Sequence, residues 1–84
     1  NFGAKVGKNT IINSKVLIEH DSIIGSNCHI STAAVINGNS EIGDNTFIGS
    51  GTIVNNGIKI GKNCVIGSGL LIKKNIKDNE IRKK

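Results

Sequence analysis

A chain of 84 residues makes one small domain, too short to bury a large globular core. Phe2 and Phe47 are its only aromatics, and no apolar run or leader pattern calls for a membrane. Of the net charge of +5, residues 1–72 carry five Lys against four acids, while 73–84 carry six basic groups against Asp78 and Glu80. The basicity belongs to one end and has no interleaved aromatics to stack bases, so nucleic-acid binding is not expected.

In chain order the elements repeat. From Val6, every sixth residue is Ile or Val: Ile12, Ile18, Ile24, Ile30, Ile36, Ile42, Ile48, Val54, Ile60, Ile66 and Ile72. Six is a multiple of the strand period but not of the helical 3.6, so each unit reads as a short strand and a bend. The residue after each Ile or Val is Gly or Asn in nine of twelve units, which points to positive φ there. Four residues after each Ile or Val stand mostly small side chains, among them Thr10, Ser22, Cys28, Ala34, Ser40, Thr46, Thr52 and Cys64, suited to a narrow interior.

A longer period lies over this one. VGKN, IGSN, IGDN and IGKN begin at residues 6, 24, 42 and 60. Asn9, Asn27, Asn45 and Asn63 should then stack as a ladder of amides. Three hexapeptides make one triangular coil, and coils stack about 4.8 Å apart. The expected fold is all-β: a parallel β-helix of hexapeptide repeats in a single chain, about four coils long, spanning residues 1–77. A basic C-terminal tail, 78–84, follows. Cys28 and Cys64 are two coils, or about 9.6 Å, apart, which is beyond disulfide reach. They read as small core residues in a reducing, cytoplasmic setting.

The repeat resembles that of the hexapeptide-repeat acyltransferases. The resemblance implies a left-handed coil, against the usual hand of parallel crossovers. Hexapeptide coils also serve metal enzymes of the γ carbonic anhydrase type, which gather three His on one ion. With two His and no His-x4-His spacing, no metal is expected here.

Both histidines fall in IEHDSIIGSNCHIS, residues 18–31. Counted modulo eighteen, His20 and His29 are half a coil apart, on the order of 15 Å. They meet at one reacting atom only if two chains face each other, as in a closed ring. The stretch resembles the active-site segment of bacterial sugar acetyltransferases that modify sialic acid or a UDP-linked amino-sugar. By that resemblance His20 is the general base, Asp21 its orienting partner (Glu19 competes for the place) and His29 a second site residue. Gly38, one coil above His20, offers a backbone N–H to the thioester carbonyl. FIGSGTIV (47–54) and VIGSGLLI (65–72) resemble segments along which coenzyme A lies, with Ser50, Gly51, Ser68 and Gly69 beside the pantetheine arm. Lys73 or Lys74 would then meet phosphate.

The expectation is therefore an acetyl-CoA-dependent acetyltransferase domain, a homotrimer with active sites between subunits. It would transfer acetyl to a hydroxyl or amine of a sugar or nucleotide-sugar, with acetyl-CoA as acyl-donor substrate. The alternatives are an amino-acid acceptor such as serine, or a non-catalytic β-helix scaffold. Two departures stand out. Set against such relatives, the N-terminal sugar-nucleotide domain is expected to be absent from these residues. The sequence also lacks the relatives' Gly-x-Pro-Ala ending, as if the tail were truncated.

Overall fold

The computed structural model describes residues 3–84. Asn1 and Phe2, where the expected domain begins, lie outside the described residues. The described elements are thirteen two-residue strands: β1 (Lys5–Val6), β2 (Ile11–Ile12), β3 (Leu17–Ile18), β4 (Ile23–Ile24), β5 (His29–Ile30), β6 (Val35–Ile36), β7 (Glu41–Ile42), β8 (Phe47–Ile48), β9 (Ile53–Val54), β10 (Lys59–Ile60), β11 (Val65–Ile66), β12 (Leu71–Ile72) and β13 (Ile81–Arg82). They form three parallel sheets, the faces of a triangular prism. The first face is β1-β4-β7-β10, the second β2-β5-β8-β11-β13 and the third β3-β6-β9-β12. Partners lie eighteen residues apart, as in Lys5↔Ile23, Ile11↔His29 and Leu17↔Val35.

The second residue of each strand points inward. Ile24, Ile30, Ile36, Ile42, Ile48, Val54, Ile60, Ile66 and Ile72 are buried and form one continuous core with Cys28, Ala34 and Cys64. Full burial of each such side chain contributes about 1.5–3 kcal/mol. Val6 and Ile12 occupy the same inward slots but remain 47% and 38% exposed, because no described coil lies beneath them.

The small inward residues do more than save space. Each hydroxyl or thiol donates to a carbonyl of the next coil: Ser22 to Asn37 at 2.7 Å, Ser40 to Asn55 at 2.8 Å, Thr46 to Gly61 at 2.8 Å, Thr52 to Gly67 at 2.6 Å and Cys28 to Gly43 at 3.1 Å. Several also accept from an N–H of the coil above, as Thr52 Oγ1 does from Leu70 at 3.1 Å. Among the described residues no buried side-chain polar atom lacks a partner. Both cysteines are free, and burial pushes the Cys28 thiol up, so it stays a neutral donor.

The bends differ from the sequence expectation. Positive φ falls not on the residue after each inward Ile or Val but two residues later: Asn9, Lys15, Asp21, Asn27, Ala33, Asn39, Asn45, Gly51, Gly57, Asn63 and Gly69. That is the third position of a turn that requires a left-handed residue. The glycines directly after the strands answer a steric demand instead. A Cβ on Gly43 would come within 2.6 Å of the Gly61 carbonyl carbon. The Asn column is likewise selected for its backbone. Its N–H groups tie coil to coil, as Asn27 to Lys8 O at 2.8 Å and Asn45 to Ser26 O at 2.9 Å.

The last turn is two residues short. Ile76 bridges Ile60, and β13 pairs with β11 through Val65↔Ile81, so the spacing drops from eighteen to sixteen. Asn75 Oδ1 accepts the Lys59 N–H at 2.8 Å, a place held in earlier coils by a backbone carbonyl. Residues 78–84, expected as a tail, thus carry strand β13 and wind on as coil. Outward side chains divide the faces by polarity. The first face shows Lys5, Ile23, Glu41 and Lys59, the second Ile11, His29, Phe47, Val65 and Ile81, and the third Leu17, Val35, Ile53 and Leu71.

Candidate active site

Glu19-His20-Asp21-Ser22 is the turn from β3 to β4, at the corner of the third and first faces. Asp21 holds its left-handed position, φ 59°, a conformation that a short polar side chain tolerates. The bend swings its carboxylate beside the preceding residue, and His20 Nδ1 lies 3.4 Å from Asp21 Oδ2. The two side chains are 55% and 62% exposed, so the pair is an open one with modest electrostatic worth. A carboxylate accepts, so Nδ1 carries the shared proton and the Nε2 lone pair stays available.

Gly38 lies directly against this imidazole. A Cβ there would come within 2.6 Å of His20 Nε2 and 2.8 Å of Cε1. The ring rests on bare backbone that a side chain would occupy. The next turn residue, Asn39, donates its N–H to His20 O at 3.0 Å, which fixes the two coils at this point. No backbone acceptor among the described residues takes the Gly38 N–H.

The remaining candidates fall into two groups on opposite sides of the third face. Lys73, which follows β12, shares the His20 and Gly38 corner. Ser50, Gly51, Ser68 and Gly69 stand at the corner between the second and third faces, in turns that leave β8 and β11. Gly51 (φ 70°) and Gly69 (φ 67°) hold left-handed positions, and nothing lies within 4 Å of where a Gly51 Cβ would stand. That corner is open backbone able to receive an amide-bearing chain. Its cation is not Lys73 but Lys84, whose Nζ lies 3.4 Å from a Cβ position on Gly69. The two-residue skip brings Lys84 there, which regular counting by eighteen does not reveal.

His29 sits on β5 of the second face, away from His20 within one chain. Its Nε2 lies 3.0 Å from Asn13 Nδ2, and its ring is tilted 48° against Phe47 at a centroid distance of 5.3 Å. Phe47 is its register partner one coil on, a neighbour the eighteen-residue period does indicate. Among the described residues no group of three or more His, Cys, Asp or Glu is gathered as for a metal ion. The described residues include no helix long and apolar enough to cross a membrane.

Residues 39–74 match the bacterial transferase hexapeptide family, six repeats. No curated protein matches the chain at a significant level. Three solved structures frame the fold. Perosamine N-acetyltransferase from Caulobacter crescentus, a histidine-to-asparagine variant in complex with CoA and GDP-perosamine, is 27% identical with a TM-score of 0.91 over 93% of this chain and 37% of its own. Serine acetyltransferase isoform 3 from Entamoeba histolytica, in complex with cysteine, is 29% identical with a TM-score of 0.92 over 98% of this chain and 33% of its own. The acetyltransferase domain of PglB from Neisseria gonorrhoeae, in complex with acetyl coenzyme A, has a TM-score of 0.82 over 94% of this chain and 47% of its own. At 23% identity, that last likeness is one of fold. The chain spans less than half the length of each of these proteins. It folds as a left-handed parallel β-helix of about four turns. Matched repeat and shared coil together bear out the resemblance to the hexapeptide-repeat acyltransferases.

Proposed function

We propose that the chain is the β-helix part of an acetyl-CoA-dependent acetyltransferase that modifies a hydroxyl or amine of a sugar. The observation that carries this reading is the His20–Asp21 pair at an open bend, with the imidazole laid on Gly38. His20 Nε2 takes the proton of the attacking hydroxyl or amine, while Asp21 at Nδ1 keeps the ring in the required tautomer and stabilises the imidazolium. Acetyl-CoA, as substrate, supplies an activated thioester. The new O–C or N–C bond forms at its carbonyl carbon. The C–S bond breaks as the tetrahedral intermediate collapses, and the His20 imidazolium returns the proton to the departing CoA thiolate. The Gly38 N–H meets the thioester carbonyl oxygen as negative charge develops there. The open corner at Ser50, Gly51, Ser68 and Gly69 suits the amides of a pantetheine arm, and Lys84 suits a phosphate. Lys73, at the His20 corner, would serve the acceptor side of the same site.

Base and donor corner are separated by the third face in one chain, so the complete site is shared between copies. The apolar outer columns Ile11, Phe47, Val65 and Leu17, Val35, Ile53 supply surfaces on which neighbours would seat, and a homotrimer closes such a set. The sugar acceptor is favoured over an amino acid by the perosamine enzyme's complex with GDP-perosamine. The serine acetyltransferase likeness keeps an amino-acid acceptor as the second reading.

The test is His20→Ala, assayed for acetyl transfer from acetyl-CoA to a panel of nucleotide sugars and to serine. Loss of at least about 10²-fold in kcat with an unchanged far-UV spectrum is expected. Unaltered turnover would make the coil a scaffold.

A further inference from the structure

The two histidines are held by opposite kinds of partner. His20 offers Nδ1 to a carboxylate, which leaves Nε2 as a lone pair. His29 offers Nε2 to an amide nitrogen, Asn13 Nδ2, at 3.0 Å. An amide nitrogen only donates, so Nε2 of His29 is the acceptor and the proton sits on Nδ1. Both rings are therefore Nδ1–H tautomers, but their free nitrogens differ: a lone pair on His20, an N–H on His29. Phe47 completes the restraint. Asn13 selects the nitrogen, and the tilted Phe47 ring at 5.3 Å selects the plane of an imidazole that would otherwise turn about a broad, two-fold torsion. Neither residue lies in the IEHDSIIGSNCHIS stretch; the coil brings them in from the turns before and after.

The geometry assigns Asn13 as a positioning residue that locks His29 in its Nδ1–H form and so makes it a hydrogen-bond donor to a substrate oxygen, not a second base. The donor role rests on the shared acetyltransfer site proposed above; the tautomer lock does not. An N–H held in place before reaction suits an oxygen that gains negative charge, because no reorientation is needed as the charge develops.

The lock is read by long-range 15N–1H correlation of the imidazoles in the 15N-labelled chain, at alkaline pH where neutral rings prevail. With two histidines present, His20→Ala assigns the signals. The Nδ1–H pattern is expected for His29. Asn13→Asp puts an acceptor of the same shape at Nε2 and should switch the ring to Nε2–H. Asn13→Ala, the second variant, should populate both forms. A wild-type Nε2–H pattern, an even mixture, or an Asn13→Asp ring that does not switch overturns the lock. In acetyl transfer, Asn13→Asp should lower kcat about 10²-fold, the scale of one oriented donor. A switched tautomer with kcat unchanged overturns the donor role. Retained turnover in His20→Ala would instead sink the catalytic reading and leave the tautomer result standing.

Discussion

At the scale of single residues, the third position of each bend sets a conformational demand that side chains meet unequally. Asn and Gly fill most of these positions, but Ala33 stands at φ 62° and Lys15 at φ 61°. A left-handed backbone costs an ordinary side chain about 1–2 kcal/mol, partly offset by the greater chain entropy glycine would lose. Ala33→Gly is therefore expected to stabilise the chain by up to about 1 kcal/mol in urea unfolding. Gly51→Ala, one coil above at the same corner, should destabilise by a similar amount although the Cβ meets open space. Opposite signs at these stacked positions would identify backbone conformation, not packing, as the cause. The sequence showed that small polar residues cluster at the bends. It did not show which position bends, because Gly after each Ile is required for close approach of coils and mimics a turn signal.

At the scale of the element, a two-residue strand has no stability of its own and exists only because the next coil covers it. Residues 78–84 test this. Val65 N–H donates to Glu80 O at 3.0 Å and Gly67 N–H to Arg82 O at 2.8 Å, so this segment pairs the edge of β11. Deleting 78–84 should expose that edge and lower Tm by about 5 °C or more in a thermal melt. A solvated tail would leave Tm unchanged. The charge run KKNIKDNEIRKK concealed the strand, because Arg82 stands in the inward register of Ile66 and breaks the Ile rhythm at the missing two residues. Asn75 replaces the lost carbonyl with its own side chain, a substitution that no period count reveals.

At the scale of the whole molecule, the prism sorts its chemistry by face. The first face shows mainly charged side chains, Lys5, Glu41 and Lys59, while the two adjoining faces carry apolar outer columns, which the proposed trimer would cover. The proposed site takes His20 and Gly38 from one copy and His29 with the glycine corner from its neighbour. Mixing inactive His20→Ala and His29→Ala chains should then restore about a quarter of wild-type acetyl transfer, since random assembly unites both intact residues in that share of seams. No recovery in trimers shown by mass to be mixed would rule out a site shared in this way.

Read alone, the sequence determined the coil, though not which residue takes the left-handed bend: the six- and eighteen-residue periods dictate strand, inward face and stacking, because a repeat that covers its own edge leaves the chain little choice. It also marked His20 and Asp21, adjacent in the chain and joined by one bend. Only the tertiary structure decided that Asn13 and Phe47 hold His29, that Lys84 and not Lys73 stands beside Gly69, and that the charged end is a turn of the coil. Each of these depends on contacts between coils or on the local skip to sixteen residues, and side-chain direction across a coil boundary is not a property of spacing.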